Sequence, residues 1–283
     1  MSLKLVECPR DAMQGFHRFI PTEDKINYIN SLLKVGFDTL DCGSFVSAKS
    51  VPQLADTVEV LNHLDLSDSK TKLLVIVANE RGAEEAGHFK QINTIGFPFS
   101  ISEQFQLRNT NQNFEQAFDK LKQIQSIAAG NGQQFLVYLS MGFGNPYGEK
   151  WSVEYAFDWC NKLSDLGLNY INLSDTIGKA ETKDIRKLFE LCLTKLPHIE
   201  FGAHFHTRPD NSLLNVSAAF EAGCRKFDSA MRGFGGCPFA TDKLTGNLPT
   251  EVLLSYLNHK EISTGINQQY FDIAYQMSSK IFS

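Results

Sequence analysis

The stretch Pro197-His198-Ile199-Glu200-Phe201-Gly202-Ala203-His204-Phe205-His206 decides how the rest of the chain is read. It opens as a short apolar run of strand type, Pro197 to Phe201, and ends on two histidines two positions apart. Side chains alternate faces in a strand, so His204 and His206 point to one side at its end. Convergent imidazoles are a metal-ligand pattern that needs oxygen or nitrogen partners from elsewhere. The plainer alternative is two polar residues on a solvated strand end. What the fold brings to the same end decides between them.

Working outward, strand-like and helix-like segments alternate along the whole chain. Strands are expected at Lys4–Cys8, Phe37–Cys42, Lys72–Ala78, Gln91–Phe97, Gln134–Leu139 and Asn169–Leu173, then in the histidine segment, then at Arg225–Ser229. Helices fall between them, from an N-cap at Thr22 to about Lys34, then around 52–63, 80–88, 113–129, 153–166, 182–195 and 210–222. Eight strand–helix units without a break imply an α/β fold, a (β/α)₈ TIM barrel. A doubly wound open sheet is the alternative, but eight units in this length fit closure better. Residues after about Pro249 read as helices packed against the barrel.

The 283 residues, 42% of them hydrophobic, suffice for one large core and a single domain over 1–283. The barrel is expected over about 3–247 and a helical C-terminal extension over about 248–283. A formal charge of -5 without a basic block argues against nucleic acid as a main partner. The longest apolar runs, Lys72–Ala78 among them, are strand-sized, so no membrane partner is expected. Met1-Ser2-Leu3-Lys4 leads straight into a strand without a signal-type apolar stretch. Cys8, Cys42, Cys160, Cys192, Cys224 and Cys237 show no Cys-x-x-Cys spacing. That favours reduced thiols and a cytoplasmic setting over a disulfide framework or thiolate zinc.

Barrel active sites sit at the C-terminal strand ends. Strands one, seven and eight adjoin in a closed barrel, so Asp11, His204, His206 and Asn247 can converge there. Two nitrogens and two oxygens suit Mg²⁺, Mn²⁺ or another octahedral divalent ion better than structural zinc. Taken singly, Asp11 could instead cap a helix or pair with Arg10, and Asn247 could be a turn residue after Gly246. Arg10, beside Asp11, can polarise a carbonyl, or else be a salt-bridged side chain. Cys237 lies in Gly233-Phe234-Gly235-Gly236-Cys237-Pro238, where three glycines suggest a loop able to close over substrate. Its thiol can carry a proton if tuned, or be a small residue in a turn. The loop has neither the phosphate-loop nor the Rossmann pattern, so neither ATP nor NAD is expected.

An ordered set of motifs completes the picture. It comprises Pro9-Arg10-Asp11 with Gln14, Ser44-Phe45-Val46-Ser47, Val51-Pro52-Gln53 with Asp56, and Asp175-Thr176-Ile177-Gly178. It continues with His204-x-His206, Gly233-x-Gly235-Gly236-Cys237-Pro238, and Gly246-Asn247-Leu248 with Thr250-Glu251. With these the chain, from residue 5 to about 260, resembles the 3-hydroxy-3-methylglutaryl-CoA lyase family of metal-dependent barrel lyases. The resemblance implies a retro-Claisen cleavage of an acyl-CoA to acetyl-CoA and acetoacetate, as in leucine degradation. It implies a divalent cation, Mg²⁺ or Mn²⁺, on Asp11, His204, His206 and Asn247, and often a homodimer. Arg10 would hold developing negative charge, His204 or Asp11 would serve as base, and Cys237 would be the catalytic thiol. Gln14, Asp41, Ser44, Asp175 and Thr176 would lie on the substrate side.

The chain departs from the family pattern at four places. His17 stands where the family has lysine, Asp41 where it has glutamate, Thr207 where it has aspartate, and Asn145 where it has cysteine. A related aldolase or Claisen-type synthase is the first rival, although the Gly-x-Gly-Gly-Cys-Pro loop favours the lyase. A barrel that binds metal or metabolite without turnover is the second.

Overall fold

The computed structural model describes residues 2–236 and 245–283. The strands are β1 (Lys4–Glu7), β2 (Thr39–Ser44), β3 (Lys72–Ile76), β4 (Ile92–Ser100), β5 (Gln134–Ser140), β6 (Tyr170–Asp175), β7 (Glu200–Thr207) and β8 (Lys226–Ser229). Each pairs in parallel with the next. β8 returns to β1 through registers running from Lys4↔Lys226 to Glu7↔Ser229, which closes the barrel. The expected TIM barrel is therefore what the chain forms.

The strands' outward side chains make the main core. In β6, Ile171 and Leu173 are fully buried against the helical layer, while Asn172 and Ser174 alternate inward. Removing each large apolar side chain from water contributes roughly 1.5–3 kcal/mol. The surrounding helices are α1 (Pro9–Gln14), α2 (Thr22–Leu33), α3 (Thr57–Asn62), α4 (Glu80–Gly87), α5 (Glu103–Thr110) and α6 (Phe114–Gly130). They continue with α7 (Val153–Asp165), α8 (Thr182–Lys195) and α9 (Ser212–Glu221). Their starts are written in side chains that accept otherwise unpaired N–H groups. Asn79 accepts from Gly82, Ser152 from Tyr155, and Asn113 with Gln116 forms a reciprocal capping box.

The extension holds α10 (Thr250–His259) and α11 (Gln268–Ile281). Past the end of α11, the Phe282 ring stacks on Phe234 with centroids 4.5 Å apart and meets Tyr28 of α2 edge-on at 6.2 Å. Arg232 donates to Tyr275 O and Ser278 Oγ of α11. The extension thus grips the start of the glycine-rich loop at the barrel mouth. No helix among the described residues is long and apolar enough to cross a membrane.

Several boundaries differ from expectation. Thr22 is the first helical residue of α2, not its cap; Pro21 holds the cap position and Thr22 Oγ1 donates to Asp56 instead. The helix expected around 52–63 divides into a single tight turn, Pro52–Leu54, followed by α3. β4 runs on to Ser100, and β7 begins only at Glu200, so Pro197–Ile199 precede the strand. α1, α5 and the short β9 (Gly246–Asn247) are additions. β9 lies antiparallel to β7, with Asn247 opposite His206.

Candidate metal centre and active site

At the C-terminal mouth of the barrel lies a cavity of about 320 Å³, bordered by Arg10, Asp11, Thr176, His204 and His206. Pro9 pre-sets the backbone at the start of α1 and so directs Arg10 and Asp11 over the mouth. β7 supplies both histidines from one face, as alternation requires. Ligand atoms of Asp11, His204 and His206 all lie within 4.8 Å of one another. Asp11 Oδ2 stands 3.7 Å from Nε2 of each histidine, too far for a hydrogen bond.

Both outer nitrogens are oriented by partners behind them. His204 Nδ1 lies 3.0 Å from Asp228 Oδ2, and His206 Nδ1 lies 2.8 Å from Thr176 O. With Nδ1 donating, Nε2 of each ring is left as the lone-pair donor facing Asp11. Asp11 Oδ1 is taken by Arg10 Nη1 at 3.2 Å, whereas Asp11 Oδ2 and His206 Nε2 are buried without any hydrogen-bond partner. Stranding a buried polar atom costs about 1–3 kcal/mol, and two such atoms facing each other are what a bound cation would satisfy. Asn247 Nδ2 donates to Phe234 O, so any ligation by Asn247 falls to its Oδ1. The set of carboxylate, amide oxygen and two imidazoles fits a divalent cation. Cys8, His204 and Asp228 form a second group of possible ligands. Burial, with Asp228, Asp41 and Asp11 nearby, pushes the Cys8 thiol well up, which opposes the thiolate that group would need.

Arg10 is fixed by a fork to Asp41, from Nε at 3.1 and 3.0 Å and from Nη2 at 2.6 Å. Its Nη1 serves Asp11 and donates to Gln14 Oε1 at 2.8 Å. Burial works against this charge, but Asp41 and Asp11 outweigh it and hold the guanidinium firmly protonated. Burial drives Asp41 up to about 6 while Arg10 pulls it down, so it remains mostly ionised at neutral pH. Burial would also raise Asp11, yet Arg10 and the two histidines hold it well below the usual carboxylate range. Burial disfavours charge on His204, but contact with Asp228 and then Asp11 raises it above an ordinary histidine.

The structure therefore brings together Arg10, Asp11, Gln14, Thr176, His204, His206 and Asn247, with Asp41 beneath Arg10. Two expected residues sit differently. Asp175 is turned away from the cavity, accepting from the backbone N–H groups of Lys179 and Ala180 at 3.0 and 2.8 Å. Ser44 borders a neighbouring cavity with Asn79 and Arg81, and its Oγ accepts from Val46 N. Cys237 lies outside the described residues. Two positions before it, Gly235 comes so near the site that a Cβ there would fall 2.5 Å from Asp11 O and 2.7 Å from Asn247 Nδ2. The other five cysteines are buried free thiols.

Asp228 was missed by sequence reasoning. It sits in β8 directly opposite His204 of β7, and it also accepts from Asn172 Nδ2 at 2.8 Å. The available signal was a carboxylate one register position along from Phe227, in a strand expected to lie beside the histidine strand.

Fold and site together define a TIM barrel whose mouth carries a group of residues able to hold a divalent cation. The HMGL-like family model matches residues 4–277, and the chain belongs to that family. It is similar to the hydroxymethylglutaryl-CoA lyase YngG of Bacillus subtilis, 32% identical over 258 residues covering 91% of this chain and 85% of the relative. It is also 32% identical to the mitochondrial hydroxymethylglutaryl-CoA lyase of Mus musculus over 270 residues, covering 94% of this chain and 82% of that protein. An HMG-CoA lyase structure from Acinetobacter baumannii, in complex with coenzyme A and 3-methylmalate, superimposes with a TM-score of 0.91 at 30% identity. That match covers 99% of this chain and 91% of the other. The chain is accordingly a carbon–carbon lyase.

Proposed function

We propose that the protein cleaves 3-hydroxy-3-methylglutaryl-CoA to acetyl-CoA and acetoacetate, using Mg²⁺ or Mn²⁺. The observation that carries this is the facing pair of partnerless buried donors, Asp11 Oδ2 and His206 Nε2, beside an Arg10 fixed by Asp41. The similarity to hydroxymethylglutaryl-CoA lyases supports the substrate.

Asp11, His204, His206 and Asn247 would hold the ion, which when bound supplies Lewis acidity toward the substrate's tertiary hydroxyl and carboxylate. His204, set by Asp228, or Asp11 through a water, takes the hydroxyl proton. The C2–C3 bond then breaks and its electron pair passes to C2 as the enolate of acetyl-CoA, while C3 becomes the ketone of acetoacetate. Arg10 holds negative charge on the thioester oxygen. Cys237 gives C2 its proton. Thr176 and Gln14 border the substrate, Asp41 fixes Arg10, and Asp175 and Ser44 shape the loops around it. A cytoplasmic setting, a homodimer and a place in leucine degradation belong to the same proposal.

The test is incubation of purified protein with 3-hydroxy-3-methylglutaryl-CoA, Mg²⁺ or Mn²⁺ and a thiol reductant, following acetoacetate. Release that a chelator and His204→Ala both abolish is expected. No release from protein that still binds the cation would overturn the assignment.

A further inference from the structure

Arg232, at the start of the glycine-rich loop, holds a left-handed backbone with φ 61°, which side chains seldom adopt. Such a conformation persists only where the surroundings over-determine it. Here those surroundings belong to the C-terminal extension. Arg232 N donates to Glu251 Oε2 of α10 at 3.0 Å. Its Nε donates to Ser278 Oγ at 3.1 Å and its Nη2 to Tyr275 O at 3.2 Å, both on α11. The guanidinium also lies over the Tyr275 ring, 3.8 Å from its centroid. Two residues on, the Phe234 ring stacks on Phe282. Arg232, Tyr275, Ser278 and Phe282 do not border the cavity at the barrel mouth.

The same turn lies tight against β9. A Cβ on Gly233 would fall 2.9 Å from Asn247 O, and one on Gly246 would fall 2.2 Å from Gly233 O. The two backbones come this close because both positions are glycine. Beyond Gly233, Phe234 O accepts from Asn247 Nδ2 at 2.8 Å. A carbonyl can only accept, so it selects the NH₂ side of the Asn247 amide and leaves Oδ1 for a cation. An amide turned the other way would offer an ion two N–H groups in place of an oxygen lone pair. Asn247 stands opposite His206 in the pairing of β7 with β9, so this selection is made beside the histidines.

We propose that Arg232 is a positioning residue for the cation: its grip on α11, with the Phe234–Phe282 stack, holds the Phe234 carbonyl where it orients the Asn247 amide. The inference rests on the part of the proposed function that gives Asn247 to the ion. It assigns the C-terminal extension a task at a site its own side chains do not touch. Groups that orient a ligating side chain from behind change metal affinity about 10–100-fold. Arg232 acts through two links, Phe234 and then Asn247, so its effect belongs at the lower end of that range.

The experiment is Mn²⁺ calorimetry on the full chain and on a double-mutant cycle of Arg232→Asn and Asn247→Ala. Asparagine tolerates left-handed backbone, so Arg232→Asn removes the side-chain contacts to α11 without adding strain. The expected result is about tenfold weaker binding in Arg232→Asn, recovered in part by Arg232→Lys, which can still lie over the Tyr275 ring. In the Asn247→Ala background the same change should cost less than about twofold. Phe282→Leu, which keeps apolar bulk but loses the stack, should behave alike, and it carries the cycle if Arg232→Asn does not fold by circular dichroism. Equal losses in both backgrounds would mean a merely structural role and overturn the positioning, as would unchanged affinity in Arg232→Asn. Unchanged affinity in Asn247→Ala overturns the ligand assignment and the inference with it. Coupled losses in a protein that releases no acetoacetate support the positioning and overturn the proposed reaction. Absence of Mn²⁺ binding by the wild type overturns both.

Discussion

His204 of β7 and Asp228 of β8 sit at the same register level of adjacent strands, with Nδ1 3.0 Å from Oδ2. The carboxylate is buried, so this contact keeps the imidazole from turning and leaves Nε2 aimed at Asp11. Carboxylates behind ligating histidines typically change metal affinity 10–100-fold. Asp228→Ala is therefore expected to weaken Mn²⁺ binding about 10–100-fold by calorimetry, with Asp228→Asn restoring part of it through the remaining amide oxygen. An unchanged dissociation constant in the alanine variant, with its fold intact by circular dichroism, would remove this role.

Arg10 makes the fork to Asp41 that a lysine cannot make. Arg10→Lys should keep a positive charge near the cavity but lose its position, and kcat is expected to fall about 10²–10³-fold, as when one aimed donor to a developing oxyanion is removed. Arg10→Met should also unfold at lower temperature, because removing one partner of a buried pair destabilises by roughly 3–5 kcal/mol. A methionine variant with wild-type kcat would show that Arg10 serves structure only.

A cation that binds only the folded protein must stabilise it. At a concentration about 100 times its dissociation constant, the gain is about 2.7 kcal/mol. Thermal unfolding with and without Mn²⁺ should therefore show a rise of several degrees, reversed by chelator and absent in Asp11→Ala and His206→Ala. An equal rise in those variants would locate the cation elsewhere.

The sequence carried the barrel because strand-sized apolar runs recur with helical spacing between them, and the histidines because alternation in β7 is regular. Asp11 and Asn247 were accessible through the neighbourhood of strands in a closed barrel. Ser44 was expected just past the second strand, but β2 runs on to include it, with a register shift against β3 between Asp41 and Gly43, and it borders the neighbouring cavity. Asp175 looked like a site carboxylate, yet backbone N–H groups of its own loop claim it, a local capture that residue spacing does not reveal. α1 and α5 are short and polar in pattern, so they lack the apolar stripe that marks a helix in sequence. Asp228 was hidden because its partner is defined only once β7 and β8 are in register.

Glu7 offers a test of electrostatics away from the cation site. It is fully buried, receives Met231 N at 2.7 Å and Thr250 Oγ1 at 2.6 Å, and burial raises its pKa from 4.5 to about 8 despite those bonds. The folded protein thus keeps a proton that the unfolded chain releases near 4.5. The sign follows from linkage: the stability from this proton is complete below about 4.5 and is lost as pH rises through about 8. The slope from one such group is at most about 1.4 kcal/mol per pH unit. Glu7→Gln is neutral at every pH and nearly the same shape, so it removes this dependence while other groups titrate as before. Denaturant unfolding of both proteins from pH 5 to 8.5 should show the variant gaining on the wild type steadily as pH rises. Parallel stability curves would mean that Glu7 is ionised in the folded state, with the hydrogen bonds from Met231 and Thr250 outweighing its burial.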